Sequence, residues 1–456
     1  VAKGRAVKTG RVSFPHLLLG TTLLLCLVNA IGCTGHRQLW TNSRHDFYQN
    51  DLAAAHQGLT EIGEKPSSQA VAELDLAMVE LFQGQPKAAE KRLREVRAQW
   101  QSLQKKSLAE ETQAYLTDDQ AKKYSGEIYE QMTLGVMLTL CSLMTDGVDA
   151  ESYTLQTFQQ QQDLLAKLNT DREEPLEAAF GIPPSVPYFR GILREATLHD
   201  HDDALRMYQL THALLPDHPQ LTEDIQRTQT ANHSRPGHGV VYVLAFVGRG
   251  PYKIEDTEPV TQAVMLQTEQ ILSIFGEYSV PPTLAPIKFP VVTCAPAPFD
   301  VVGVQVNGQP AATTNTMTDF EELARETYEA NKTRMMARTV ARRIVKKGAI
   351  YAAKSSLNAN DMASWALDAV GVVWEATESA DLRCWGLLPR ELQVVRLELP
   401  VGNHELKLEP VTNGYPVGLP TTCRVEVGNA RNTYVLGFWP ERDRVGELLV
   451  SGQATR

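Results

Sequence analysis

The hydrophobic rhythm of this chain changes once, across Ala231-Asn232-His233-Ser234-Arg235-Pro236-Gly237-His238-Gly239, and that change limits its fold more than any other feature. From about Asp46 to Thr230, Ala, Leu, Gln and Glu dominate and apolar residues recur at spacings of three and four, the mark of amphipathic helices. After the breaker-rich joint, Val240 to Val247 is a nearly unbroken apolar run, which reads as a strand buried on both faces. The pattern predicts an α+β protein with helices over 46–230, a linker over 231–239 and a β-rich part over 240–456. With 456 residues and 43% hydrophobic content, the chain suits two domains or so and can bury a sizeable core.

The helical part shows a faint repeat. Tetratricopeptide units place small residues where paired helices approach and large ones in the groove between them. From Leu74 to Gln101, Leu76 and Ala77 open such a unit, Gly84 sits in its turn, and Ala89 and Leu93 lie on its second helix, with Glu80 replacing the expected Tyr. Pro187 to Pro216 fits better, with Gly191, Ala204, Tyr208 and Pro216 in register, although Arg190 and Arg194 stand where Leu and Tyr are expected. Leu134-Gly135 opens a looser third unit, whose second helix contains Phe158 and Leu165. The expectation is a TPR-like array that stacks because no single helix pair can cover its own apolar face. Its concave side either receives a partner or packs on the rest of the chain.

In the β-rich part, Val260 to Phe275 reads as a helix, and Ile287 to Val292 and Val301 to Val306 read as strands, the latter closed by an Asn307-Gly308 turn. Val395, Leu397 and Leu399 alternate with Arg396 and Glu398, and Pro400-Val401-Gly402-Asn403 joins them as a hairpin to Leu406 and Leu408. Cys423, Val425 and Val427 are answered by Tyr434, Leu436 and Phe438 across Gly428-Asn429. Antiparallel strands at this spacing predict a β-sandwich-like domain, interrupted by a helical insertion over 317–377.

At the N-terminus, Lys3, Arg5, Lys8 and Arg11 precede an apolar run from Leu17 to Val28 that ends in Ala30-Ile31-Gly32-Cys33. A basic head, a short apolar middle and small residues before a cysteine read as an export signal over 1–32, with Cys33 as the lipidated first residue of the mature chain and a tether over 33–45. The run is too short and too broken to span a bilayer. Val28-Asn29-Ala30 also suits ordinary signal peptidase, which would give a soluble secreted or periplasmic protein. Thr34, where an Asp would favour the inner membrane, points to an outer-membrane anchor facing the periplasm.

Removing the four basic groups of the signal takes the net charge from −10 to −14, which argues against nucleic acid as a partner. The mature body holds Cys141, Cys294, Cys384 and Cys423. In an oxidising compartment these allow two disulfides in three connectivities, and Cys384–Cys423 is the preferred pair because both fall in the strand-rich tail. Catalytic patterns are weak. Gly248-x-Gly250 lacks a third glycine, and Pro251 removes an amide that a phosphate would need. His199-Asp200-His201-Asp202-Asp203 has metal-binding residue types but sits at a helix turn, where Asp caps the next helix. The reading is therefore a protein that is not an enzyme, with no cofactor and no metal.

Two features are candidates for interaction. Arg334, Arg338, Arg342 and Lys346 recur every four residues, with no acid from Thr333 to Lys354, while Met336, Val340 and Ile344 take the opposite face. Such a helix grips headgroup or glycan phosphates, or else pairs with the protein's own carboxylates. Arg383 and Trp385 form the other. An exposed pair anchors a partner, whereas a packed one has Arg383 forked onto Asp381 or a backbone carbonyl and Trp385 covering the sheet edge.

The order of lipobox, Gly126-Glu127-Ile128-Tyr129-Glu130, the repeat ending at Pro216, Gly250-Pro251-Tyr252-Lys253, Ala341-Arg342-Arg343 and Asp381-Leu382-Arg383-Cys384-Trp385 with Leu388-Pro389 resembles a poorly characterised family of bacterial lipoproteins containing tetratricopeptide repeats. The likeness is diffuse in the helical half and more specific from Asp381 to Leu399, where Cys384 replaces a small polar residue. It implies an envelope protein without supplying a reaction. The functional expectation is a membrane-anchored scaffold that binds other envelope proteins through the repeats. Alternatives are a glycan or headgroup-binding module using 333–354, and an envelope enzyme.

Overall fold

The computed structural model describes residues 38–114, 123–170, 181–273, 287–356 and 380–452. Cys33 and the export signal lie outside the described residues. The chain is α+β. A helix over 38–48 (α1) takes up most of the stretch read above as a tether, and its Phe47 is fully buried. There follow α2 (Leu52–Gly63), α3 (Gln69–Phe82), α4 (Pro86–Ala114), α5 (Ile128–Leu143), α6 (Ala150–Thr170), α7 (Ser185–Glu195), α8 (His201–Leu214) and α9 (Pro219–Gln229). Local chemistry sets the ends. Asp51 accepts from the Ala54 amide at 3.0 Å to start α2, Gly84 takes φ +77° after α3, and Glu127 and Glu130 form a reciprocal capping box at α5.

Consecutive helices pack as pairs, and two glycines mark their closest approach. A Cβ on Gly135 would lie 1.9 Å from Thr157 of α6, and one on Gly191 would lie 2.8 Å from the Tyr208 ring of α8. Helices α3, α5 and α7 are buried on nearly every side, while α4, α6 and α8 keep exposed polar faces.

The β-rich part contains β1 (His238–Arg249), β2 (Tyr252–Glu258), α10 (Gln262–Leu272), β3 (Ile287–Thr293), β4 (Val301–Val306), β5 (Gln309–Thr313), β6 (Asn315–Asp319), α11 (Phe320–Ser356), β7 (Pro389–Pro400), β8 (Gly402–Thr412), β9 (Tyr415–Pro416), β10 (Thr421–Val427), β11 (Asn432–Trp439) and β12 (Val445–Val450). One mixed sheet runs β12-β11-β1-β7-β6, with β1 parallel to β11 and antiparallel to β7. A second sheet runs β10-β8-β4-β5 with β9 on β8, and β2 pairs β3 in a separate ribbon. Asn307 and Gly308 take positive φ in the β4–β5 turn. The helical insertion begins three residues later than expected, because Met317 to Asp319 belong to β6, and its residues 357–377 lie outside the described residues.

Strand β1 is buried on both faces, and the two faces serve different cores. Val240, Tyr242, Leu244 and Phe246 join the helices, where Phe47, Phe82, Phe246 and Phe438 form an aromatic cluster with centroid separations of 5.4 to 5.9 Å. Val241, Val243, Ala245 and Val247 meet Val302, Val304, Leu406, Leu408, Val425 and Val427 of the second sheet. The order through the molecule is helices, mixed sheet, second sheet.

Both expected hairpins are corrected. Strands β7 and β8 belong to different sheets, as do β10 and β11, so the short turns at Val401 and Gly428-Asn429 carry the chain from one sheet to the other. Tyr434, Leu436 and Phe438 face the helices, and it is Val435 and Trp439 that face β10. Alternation could not reveal this, because β11 is apolar on both faces. The Cys384–Cys423 pairing also fails. All four described cysteines are free, Cys384 in the buried approach to β7 and Cys423 on β10 of the other sheet.

Candidate functional site

Between α11 and β7 the segment Ala380–Leu388 has no regular structure, yet most of it is buried. A backbone without helix or sheet partners must find other acceptors and donors. Two carboxylates supply acceptors. Asp75 of α3 accepts from the Leu387 amide at 3.0 Å, and Glu130 of α5 accepts from the Trp385 amide at 2.8 Å. Arg44 of α1 joins Asp75 at 3.0 Å and donates to the Cys384 carbonyl at 3.1 Å, while the Tyr48 hydroxyl donates to the Gly386 carbonyl at 3.1 Å. Glu130 also accepts from the Tyr124 hydroxyl and the Glu127 amide. Lys253 of β2 reaches Glu127 at 2.6 Å.

Burial governs the electrostatics. It raises the Asp75 carboxyl above the usual range against the pull of Arg44, and raises Glu130 against the pull of Lys253. Burial alone would lower the Lys253 ammonium, but Glu127 and Glu130 hold it above its ordinary value. The Cys384 thiol is pushed up by desolvation, so it is no poised nucleophile. Beside this network, Glu127, Tyr129, Lys253, Val292, Thr327 and Tyr328 line a cleft of about 20 Å³, space for one water.

Arg383 and Trp385 are packing residues. Arg383 forks onto both oxygens of Asp381 at 2.8 and 2.7 Å, donates to the Ser67 carbonyl at 2.9 Å, and lies 5.5 Å from the Tyr124 ring centroid. Trp385 has no exposed surface. The reading of the pair as an exposed anchor is therefore corrected: the segment passes beneath the helices. The glycines near it act in the same way. The Gly250 amide donates to the Leu388 carbonyl at 2.9 Å, and a Cβ on Gly250 would sit 2.3 Å from that oxygen.

The basic helix is also less uniform than its spacing suggests. Arg334 is exposed, Arg338 is half-buried and Arg342 is buried at 6%. Residues four apart precess by about 40° per step around a helix of 3.6 residues per turn, so the stripe winds from solvent toward the core. Met336 and Val340 pack with Phe289 and Val264 under the helix. Lys332 pins its first half to Glu258 at 2.8 Å. The Lys346 side chain lies outside the described residues.

Two of the carboxylates of 199–203 are used by arginines. Asp203 meets Arg190, Arg194 and Arg206 at 2.9, 3.1 and 2.8 Å, and Asp200 meets Arg194 at 3.0 Å. This accounts for Arg190 and Arg194 at apolar positions of the repeat pattern. Among the described residues no group of three His, Cys, Asp or Glu could hold a metal.

A second buried network escaped the sequence reading. Glu195 of α7 receives both Nε and Nη2 of Arg227 at 2.8 and 2.9 Å and the Tyr208 hydroxyl at 2.6 Å. Asp224 of α9 lies 2.7 Å from Arg227, and Arg396 of β7 stands 3.9 Å from Glu195. Asp75, Glu130, Glu195 and Asp224 share one sequence signal, an acid at an apolar helical position, and it does not reveal the partner. Comparison with protein-family models, with curated proteins and with solved structures gives no match.

Proposed function

We propose that this chain is a cell-envelope lipoprotein, held to the outer membrane through acylated Cys33 and acting as a scaffold for other envelope proteins. In this reading the helices form a TPR-like array and the two sheets a sandwich-like support. The observation that carries it is the alternation of enclosed and outward helices, with Gly135 and Gly191 at equivalent close approaches in two successive pairs. The export pattern ending at Cys33 and the resemblance to repeat-containing lipoproteins support the location. No described helix is long and apolar enough to cross a membrane.

The enclosed row is covered by the chain's own mixed sheet, since α3, α5 and α7 share a core with β1 and β11. The surface for a partner is then the outer row, where Leu155 of α6 and Leu210 of α8 are exposed among polar residues. Photocrosslinkers placed at 155 and 210 in intact envelopes test this. The expected result is a discrete adduct from these positions, absent from a crosslinker at exposed Tyr415 and lost in Leu155→Asp. Identical adducts from all three positions would sink the scaffold reading, and mass analysis showing a bare thiol at Cys33 would sink the anchor.

One observation favours a second reading. Helix α11 carries Glu321, Glu322, Glu326 and Glu329 in its first turns and Arg334 exposed beyond them, so its charge is segregated along an axis of about 55 Å. Salt-sensitive binding to anionic vesicles, lost in Arg334→Glu, is the outcome that would move the interaction site to this helix.

A further inference from the structure

The network around Asp224 has an unequal distribution of donors. Glu195 accepts three hydrogen bonds, two from Arg227 and one from Tyr208. Asp224 is 1% exposed, shares Arg227 with Glu195 through a single 2.7 Å contact, and has no donor on Oδ2. The groups facing it are Tyr188 and Glu195 of α7, Tyr208 of α8, Tyr242 of β1, Arg396 of β7 and Arg227 of its own helix. His233, in the joint ahead of β1, borders the same charges and hydrogen-bonds Asn432 at 2.8 Å. With two carboxylates and two guanidiniums enclosed, a proton entering this network binds where solvation by donors is poorest, which is Asp224.

We infer that α9 is latched to the rest of the helical layer and the mixed sheet by an acid-tightened clamp centred on Asp224. Burial raises this carboxyl from 3.8 to about 6, against the pull of Arg227. The sign follows from linkage. A group whose folded pKa exceeds its unfolded value contributes stability that is fully present below the unfolded pKa and is lost as pH rises through the folded one. Glu195 works in the opposite sense. Burial alone would raise it, but Arg227 holds it below the ordinary value, so its contribution is lost only in stronger acid. His233 and, at the N-cap of α9, His218 act in the opposite sense, since burial holds both imidazoles below their ordinary value, so it is the Asp224 contribution to the clamp that is largest in mild acid and fades toward neutral and alkaline pH.

Hydrogen exchange on the full chain, corrected for intrinsic rates, tests it. Between pH 5 and pH 7.5 the α9 amides of the wild type should lose about tenfold more protection, relative to those of β8, than those of Asp224→Asn, from the pKa displacement of Asp224. In Asp224→Asn this additional loss should be absent, with α9 protected at both pH values. A parallel change in α9 and β8 of the wild type overturns the proposal without any variant. So does an Asp224→Asn chain that folds and keeps the wild-type pH dependence, or whose α9 is less protected than wild type at pH 7.5.

Discussion

The two faces of β1 look onto cores of opposite character. Toward the second sheet lie Val, Leu, Ala, Phe299 and a tryptophan, and the buried acid of that sheet, Glu409, is paired with Lys407 at 2.9 Å. Toward the helices lie aromatic rings together with Asp75, Glu130, Glu195 and Asp224, all essentially removed from water. The sheet-to-sheet union rests on area and shape, and many β-branched sequences could supply it. The helix-to-sheet union adds specific pairings that hold an irregular segment and α9 in single positions. Buried ionic groups seldom add net stability over apolar replacements, yet removing one partner is costly, so the two unions respond differently to mutation and to pH.

The largest expected effects fall on the helix side. Glu195→Ala leaves two guanidiniums, Arg227 and Arg396, with Asp224 as the remaining carboxylate of the network, and should cost about 3–5 kcal/mol in denaturant unfolding. Trp385→Ala empties a fully enclosed site and should cost a similar ~3–5 kcal/mol. If either loses less than a kilocalorie, the irregular segment and α9 are not the fastenings described above. On the sheet side, Val304→Ala removes two methyl-sized groups and should cost about 2 kcal/mol. Its cost should be equal at pH 5 and pH 7.5, and a pH-dependent cost would erase the contrast between the cores.

Smaller effects sharpen the comparison. Gly446 has φ +65°, and a Cβ there would stand 2.2 Å from the Phe82 carbonyl oxygen, so Gly446→Ala should lower stability by about 1–3 kcal/mol by pushing β12 from α3. Asp75 and Glu130 carry raised carboxyl pKa values, so their share of helix-side stability should grow as pH falls from neutral into the mildly acidic range, opposed by the buried His218 and His233, whose imidazoles burial holds below their ordinary value. Thermal midpoints across that range check the sign. Arg334→Glu lies at the exposed start of the basic stripe and should change stability by less than about 0.5 kcal/mol.

Legibility in the sequence followed the range of the interaction. The helical spacing to Thr230, the two-sided burial of Val240 to Val247 and the Asn307-Gly308 turn were readable because each depends on residues a few positions apart. Arg383 forked onto Asp381 was readable for the same reason. The basic stripe misled because a spacing of four looks like one face in the sequence and is a slow spiral in space. The paired strands of β10 and β11 misled because a tight turn between apolar strands looks the same whether it closes a hairpin or turns a corner between sheets.

By itself the sequence determined the order of helices and strands, the ends of several elements and the α+β class, since backbone sterics, capping and hydrophobic period act within a few residues. Only the tertiary structure decided which sheet each strand joined and which side of β1 the helices would cover. It alone brought Asp75 to the Leu387 amide, 312 residues away. A buried carboxylate needs a donor wherever the fold can bring one, and the identity of that donor leaves no periodic trace in the chain.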